Sequence, residues 1–138
     1  PGRFRYGTIL VKEWALPLAV GLGGGLGAMS RYGLVMLSTR LPGAFPWGTL
    51  AVNVLGGFGI GVLFLYGQRR PEWALAIRVW AITGFLGGFT TFSAFSLETL
   101  QLWSQGAQGK AVLNVLANVV LSLAAVAAGM ACARRLLA

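Results

Sequence analysis

Histidine is absent from this 138-residue chain, and cysteine and acidic residues are scarce. Without an imidazole the chain has no His-based catalytic triad, no histidine proton shuttle and no His-ligated zinc site. The single cysteine, Cys132, excludes an internal disulfide and a cysteine metal cluster. The only carboxylates are Glu13, Glu72 and Glu98. We therefore expect a protein that is not an enzyme.

Charge is also scarce, at 10% of residues, where soluble domains carry roughly 25%. Hydrophobic residues make up 57%, and the mean hydropathy is +0.74. A chain of this length forms one domain and cannot hide so much apolar surface in a water-soluble core. The composition predicts one integral membrane domain over residues 1–138. Its net charge of +8 comes from cations at segment ends rather than from one patch, which favours lipid headgroups over nucleic acid as partners.

Runs without charge locate the membrane segments, since a helix that spans a bilayer core needs about 20 apolar residues. Such runs cover 14–30, 41–68, 79–97 and 111–133, and the first plausibly continues past Arg31. The predicted fold is all-α, with a polar N-terminal segment over 1–12 followed by four transmembrane helices at about 14–38, 47–67, 74–102 and 111–133.

Tryptophans and cations agree with four spans and indicate an orientation. Trp14, Trp47, Trp73 and Trp103 fall at predicted helix ends, the headgroup depth that amphipathic rings prefer. One side of the membrane carries most of the cations: Arg3, Arg5, Lys12, Arg69, Arg70, Arg78, Arg134 and Arg135. The other side has Arg40 and Lys110, with Arg31 near it. The positive-inside rule therefore predicts that both termini lie in the cytoplasm.

Glycine pairs at four-residue spacing occur in three of the four predicted spans. This spacing puts both glycines on one helix face, where another backbone approaches closely. The pairs predict tight helix packing, extended by oligomerisation; they are Gly21/Gly25, Gly23/Gly27, Gly57/Gly61 and Gly84/Gly88.

The third span combines glycines with β-branched residues, both of which lower helix propensity. Gly87 and Gly88 are followed closely by Thr90 and Thr91. A break here would free backbone carbonyls, which are ligands for hard cations and are tolerated only when buried in protein or facing a polar cavity. The alternative is a continuous helix whose hydroxyls bond back to the preceding turn. The residues alone leave both readings open.

Polar side chains form tracks on otherwise apolar helices. Asn53 lies within the second span, and the fourth carries Asn114, Asn118 and Ser122, spaced by four and therefore on one face. In the third span, hydroxyl residues interleave a stripe of rings at Phe85, Phe89, Phe92 and Phe95. Ring edges are partly positive and favour a small anion without carrying full charge. A lone asparagine commonly joins two helices, but the combined tracks favour a path for a neutral or anionic species.

Three motifs resemble the Fluc (CrcB) fluoride channels of bacteria: residues Gly25–Tyr32, Gly48–Gly56 and Gly84–Phe95. The resemblance implies four-helix subunits that pair antiparallel into a dual-topology homodimer with two fluoride pores. It further implies a multi-pass protein of the bacterial inner membrane, a third helix broken within the membrane, and a central structural sodium ion that is not transported.

Individual roles follow from the same resemblance. Phe92 and Phe95 resemble the paired pore phenylalanines, Asn53 the pore-lining amide donor, and Ser93 a residue beside the fluoride path. Gly87 and Thr90 resemble the residues whose carbonyls, from both subunits, bind sodium. Arg31 matches the arginine after the first glycine motif, and Asn118 and Ser122 fall along the polar track of the fourth helix, as does Asn114.

The implied function is a passive, fluoride-selective channel that exports fluoride from the cytoplasm and relieves its toxicity. The first alternative is a small four-helix proton-coupled transporter of drugs or cations. It calls for a membrane-embedded carboxylate, and Glu13 and Glu98 both fall at the ends of predicted spans. The second alternative is an accessory subunit, which explains the glycine packing but not the polar tracks.

Overall fold

The computed structural model describes residues 3–6, 9–12 and 14–138. Two short strands, β1 (Arg3–Tyr6) and β2 (Ile9–Lys12), precede four helical segments. These are α1 (Ala15–Ser38), α2 (Trp47–Arg69), α3 (Ala74–Ser104) and α4 (Gln108–Leu136). The limits predicted from sequence differ from these helix limits by three residues or fewer.

The hairpin of β1 and β2 is a feature that the sequence analysis missed. The strands pair antiparallel, from Arg3 opposite Lys12 to Tyr6 opposite Ile9. The segment alternates cations with aromatic residues and then runs through β-branched and large apolar residues, a composition that fits strands. The polar N-terminal segment predicted over 1–12 therefore contains two strands that were not predicted.

Proline and glycine set the helix ends. Pro46 lies immediately before α2, and Gly43 in the preceding linker has φ of +94°, which an L side chain rarely adopts. At the end of α3, Gly106 has φ of +80°, and its N–H donates to the Trp103 carbonyl. The N–H of Ala107 donates to the Leu102 carbonyl, which completes a Schellman motif and reverses the chain into α4.

By length and apolar composition, α2, α3 and α4 are able to cross a membrane, within the part of the chain that the structure describes. Four such helices were predicted from the sequence. α1 is long enough, but six glycines and Arg31 lower its mean hydropathy. The helix-end tryptophans Trp14, Trp47, Trp73 and Trp103 are between 46% and 64% exposed, as expected for rings at headgroup depth.

Glycines allow the helices to pack in two close pairs. α2 packs on α4, where an added Cβ at Gly57, Gly61 or Gly129 would meet backbone of the other helix. The first half of α3, residues 74–89, packs on α1, where a Cβ at Gly27 would meet the Phe85 carbonyl. Three of the four predicted glycine pairs thus make close contacts within one chain. The pair Gly21/Gly25 faces open space.

The backbone of α3 leaves the helical conformation at two consecutive threonines. Thr90 has φ −83° and ψ 158°, and Thr91 has φ −151° and ψ 119°, both extended. Before this point the segment Ile77–Leu86 has the wider i→i+5 hydrogen bonding of a π-helix. Helix resumes at Phe92, and this second half packs mainly on α4 rather than on α1. The chain therefore crosses from one packed pair to the other at Thr90 and Thr91.

Candidate functional site

A groove of about 470 Å³ lies beside the two extended threonines, between α2, α3 and α4. Most of its wall is apolar, and its polar lining residues include Asn53, Thr91, Asn118 and Ser122. The groove is lined by seven of the nine site residues predicted from sequence: Asn53, Gly87, Thr90, Phe92, Phe95, Asn118 and Ser122. Ser93 and Arg31 are not among its lining residues.

Asn53 supplies the hydrogen bonds that the helix loses at Thr91. The Thr91 N–H donates to Oδ1 of Asn53 at 2.8 Å, and Nδ2 of Asn53 donates to the Thr91 carbonyl at 3.1 Å. In a continuous helix that N–H would donate to the carbonyl of Gly87 instead. One amide side chain thus satisfies both backbone groups of an extended residue, which would otherwise be costly inside a membrane.

The polar track of α4 continues from Asn53 as a chain of amides. Nδ2 of Asn53 also donates to Oδ1 of Asn118 at 2.9 Å, and Nδ2 of Asn118 donates to Oδ1 of Asn114 at 2.9 Å. Asn114, fully buried, donates in turn to the Thr99 hydroxyl at 2.9 Å. Asn118 makes a further bond to the Asn114 carbonyl. Both amide hydrogens of Asn53 and of Asn118 are therefore engaged within the protein.

Ser122 differs from these amides. Its hydroxyl oxygen is buried, lines the groove and has no hydrogen-bond partner among the described residues. A buried polar atom without a partner is unfavourable unless something binds it. Along the predicted α4 track, this hydroxyl is the group available to a ligand in the groove.

The four phenylalanines of the predicted stripe divide into two pairs because the helix is interrupted between them. Phe85 and Phe89 stack with ring centroids 5.7 Å apart, and Phe89 lies in the small buried core with Val52. Phe92 and Phe95 are 5.3 Å apart and tilted by 60°. Phe95 is 7% exposed and Phe92 is 78% exposed. Of the two pairs, only Phe92 and Phe95 line the groove.

Ser93 lies at the same turn as these rings. Its hydroxyl is 3.3 Å from the hydroxyl of Thr91, which also accepts a hydrogen bond from the N–H of Ala94. Thr91 therefore caps the second half of α3 as an N-cap residue does. The predicted place of Ser93 beside an ion path stays a prediction.

The carbonyls of Gly87 and Thr90 lose their helical donors at the interruption. The N–H groups that would serve them, those of Thr91 and Ala94, donate to Asn53 and to the Thr91 hydroxyl. Backbone carbonyl oxygens without a helical donor suit a hard cation, so the chemistry of these two residues fits a sodium ion. Nη1 of Arg31 donates to the Thr90 carbonyl at 3.3 Å, which places a positive charge at the same oxygen.

A contact between Thr49 and Glu98 was missed by sequence reasoning. Oγ1 of Thr49 donates to Oε1 of Glu98 at 2.7 Å, and Oε2 of Glu98 is buried without a partner among the described residues. Thr49 lies one helical turn before Asn53 and is 1% exposed. The i, i+4 spacing of Thr49 and Asn53 is the signal that would have placed both on the polar face of α2.

Comparison with known proteins assigns this chain to a family. The family model described as "CrcB-like protein, Camphor Resistance (CrcB)" matches residues 18–130. The chain belongs to the CrcB family. The resemblance predicted from the three motifs is thus confirmed, and the matched range contains every residue of the groove.

Curated relatives match over nearly their full length. A protein of Agrobacterium fabrum is 48% identical over 118 residues, which are 85% of this chain and 94% of the relative. A protein of Paracoccus denitrificans is 49% identical over 88% of this chain and 96% of the relative. A protein of Bordetella bronchiseptica is 46% identical over 87% and 92%. All three carry the name "Fluoride-specific ion channel FluC".

Proposed function

We propose that this protein is a fluoride-selective passive ion channel that lets fluoride leave the cytoplasm and so relieves its toxicity. The observation that carries the proposal is the identity of 46–49% to fluoride-specific channels across nearly their whole length. The groove supports it independently, because it brings hydroxyl, amide and aromatic groups together inside otherwise apolar helices.

The chemistry of the groove suits a strongly hydrated anion. Moving a small ion out of water costs tens of kcal/mol in the Born limit, so a pore must replace the lost water with many weak donors. A fixed cation in the pore would bind fluoride too firmly for release, whereas conduction needs several weak sites. The Ser122 hydroxyl and the positive edges of the Phe92 and Phe95 rings meet this requirement. The Asn53 amide reaches the ion by exchanging one of its present acceptors.

We infer that two copies of the chain assemble antiparallel as a dual-topology homodimer with two fluoride pores. In this arrangement the interruption of α3 lies at mid-membrane, and the carbonyls of Gly87 and Thr90 from both subunits bind one sodium ion. The ion is structural and is not transported. Support comes from the two carbonyls that lack helical donors and from the groove, which a single chain leaves uncovered.

We further infer that all four helices, α1 included, cross the bacterial inner membrane and that lipid covers their outer surface. Numerous large apolar side chains on these helices are exposed in the single chain, among them Leu22, Leu26 and Leu123 at 58% or more. α1 reaches the required length, and Gly23 and Gly27 within it make close contact with α3.

The proton-coupled transporter remains the competing function, and Glu98 is the observation that favours it. This carboxylate is partly buried, with one oxygen bonded to Thr49 and the other without a partner in the described residues. A carboxylate inside a membrane segment is a functional hypothesis by default. The two functions differ in whether transport carries net charge and whether it requires a proton gradient.

Fluoride efflux from liposomes distinguishes these functions. Vesicles with reconstituted protein and internal potassium fluoride are diluted into fluoride-free buffer, and a fluoride electrode records release. We expect release only after valinomycin lets potassium leave the vesicles and so compensates the charge of the departing fluoride. No protonophore or pH gradient should be needed. Release that requires proton exchange and ignores valinomycin would reject the channel, and so would equal release of chloride. Protein-free vesicles serve as the control, and Glu98→Gln tests whether any proton dependence resides in that carboxylate.

A further inference from the structure

The carbonyl of Thr90 is the backbone group at the interruption that accepts a hydrogen bond from a cationic side chain, among the residues that the structure describes. Nη1 of Arg31 donates to it at 3.3 Å, while the N–H and hydroxyl of Thr90 itself both bond to the Leu86 carbonyl. Since the helical donor for this carbonyl, the Ala94 N–H, is directed to the Thr91 hydroxyl, Arg31 provides its remaining hydrogen bond.

Close packing brings Arg31 to this position. Gly27 lies one helical turn before Arg31 in α1, and a Cβ there would meet the Phe85 carbonyl of α3. The contact of backbone on backbone reduces the separation of the two helix axes, so that a side chain one turn later reaches Thr90. The position of Arg31 is thus built into the glycine contact between α1 and α3.

The charge of Arg31 is not balanced by a carboxylate in the part of the chain that the structure describes. The ion pair found there joins Arg70 to Glu72, in the linker between α2 and α3. The partner of Arg31 is a neutral carbonyl oxygen. Any second cation that binds this oxygen therefore meets an uncompensated positive charge.

We propose that Arg31 and sodium are opposed partners of the Thr90 carbonyl, so that Arg31 weakens sodium binding in the assembled protein. The inference rests on the sodium site of the proposed function. Two physical effects act in the same direction. Like charges that share one oxygen repel each other. In addition, a carbonyl that already accepts a charge-assisted hydrogen bond gains less from a cation than one with no donor.

Arg31 is in this sense a positioning and affinity-determining residue. It holds the Thr90 carbonyl whether or not sodium is bound, and it limits how much stability the ion adds. Removing Arg31 leaves a carbonyl without a donor inside the protein, and sodium then becomes its only positive partner. Stability of the variant should depend on sodium more strongly than stability of the unaltered protein.

The test is a sodium titration of thermal unfolding on the purified protein in detergent. Sodium chloride replaces N-methylglucamine chloride at constant ionic strength, for the unaltered protein and for Arg31→Met. We expect the half-saturating sodium concentration of Arg31→Met to be at least about tenfold lower than that of the unaltered protein. The repulsion between two like charges at one site is large enough to change the affinity by more than this factor. The sodium-dependent rise in Tm should also be larger. Should Arg31→Met fail to fold, Arg31→Gln removes the charge and keeps a polar side chain.

Two control variants isolate the charge at Thr90. Arg31→Lys keeps the charge and should titrate like the unaltered protein. Arg40→Gln removes a cation just beyond the end of α1, away from Thr90, and should also titrate unchanged. An unchanged or weaker sodium affinity in Arg31→Met would overturn the proposal. It would also fall if the unaltered protein showed no sodium dependence, whereas the fluoride efflux described above would then still test the channel by itself.

Discussion

At the scale of single residues, Asn53 replaces the helical hydrogen-bond partners that Thr91 lacks. It bonds to both the N–H and the carbonyl of Thr91, and it links that residue to Asn118 on α4. From the sequence, Asn53 was predicted to be a pore-lining amide donor. The geometry adds a structural role, because the amide holds the extended conformation of α3.

Asn53→Leu is therefore expected to lower both stability and fluoride flux. Two buried backbone groups lose their partner, and each such loss costs about 1–3 kcal/mol. Thermal unfolding and liposome efflux measure the two effects. Ser122→Ala is the matched variant, since it removes a groove hydroxyl that has no protein partner and should lower flux with Tm unchanged. An Asn53→Leu protein with normal Tm would show that Asn53 does not hold Thr91.

Phe92 and Phe95 line the groove, and apolar substitutions of similar volume test their role. Phe→Leu at either position should leave folding nearly intact, since volume-conserving apolar swaps usually cost less than about 1.5 kcal/mol. If positive ring edges replace water around fluoride, flux should fall by about tenfold or more, the effect of losing about 1.4 kcal/mol in the rate-limiting step. Methionine should retain part of the flux, because its thioether is polarizable.

Phe89→Leu is the control for these two variants. Phe89 stacks on Phe85 in the buried core and does not line the groove, so Phe89→Leu should leave flux near that of the unaltered protein. Normal efflux in both Phe92→Leu and Phe95→Leu would assign these rings to packing alone.

The sequence does not predict which hydrogen bonds the polar residues make. Spacing by four places Asn114, Asn118 and Ser122 on one face of α4, and the structure has them there. The pattern does not reveal that the two amides use their hydrogens within the protein while Ser122 does not. Nor does it pair Thr49 with Glu98, because that contact depends on how α2 crosses α3.

At the scale of helices, glycine contacts decide which elements pair. Spacing of four identified the glycines of α1, α2 and α3, but it did not distinguish pairs that face another helix from those that face outward. Gly23/Gly27 packs on α3, whereas Gly21/Gly25, on the same helix, meets open space. The difference arises from the angular position of each pair around α1, which depends on the tertiary contact.

This contrast predicts opposite effects of the same substitution two positions apart. Gly27→Ala should destabilise the protein by about 1–3 kcal/mol, because the added methyl group meets the Phe85 carbonyl and the helices must separate. Gly25→Ala should be neutral or stabilising by up to about 1 kcal/mol, since alanine favours helix and the site is open. Thermal unfolding of both variants measures the difference. Equal Tm values would mean that the α1–α3 contact tolerates a wider separation than the structure has.

The interruption of α3 illustrates the limit of propensity. Glycines and β-branched residues at 84–91 allowed either a break or a continuous helix, because each costs only a fraction of a kcal/mol to about 1 kcal/mol in a helix. The choice depends on partners from other helices. Asn53 of α2 and Arg31 of α1 each bond to one of the two extended threonines. Neither partner is visible in the local sequence of α3.

At the scale of the whole molecule, cations lie mainly at one end of the bundle. The end formed by the last turns of α2 and α4 carries Arg69, Arg70, Arg134 and Arg135, and Nη1 of Arg69 donates to the Leu137 carbonyl at 2.9 Å. The opposite end has Arg40 and Lys110. A dual-topology assembly has to place some chains against this bias, so the inferred orientation of the two copies stays a prediction.

The interrupted third helix also has a mechanical consequence. α1 and residues 74–89 form one packed pair, and α2 and α4 form the other. In each pair, glycine contacts bring the two backbones close together. The second half of α3 packs on the pair formed by α2 and α4. Thr90 and Thr91 join the two pairs without helical backbone, so we expect a relative displacement of the pairs to be taken up at their torsion angles. Phe92 directly follows Thr91 and lines the groove, so a change in these torsion angles would move its ring within the groove.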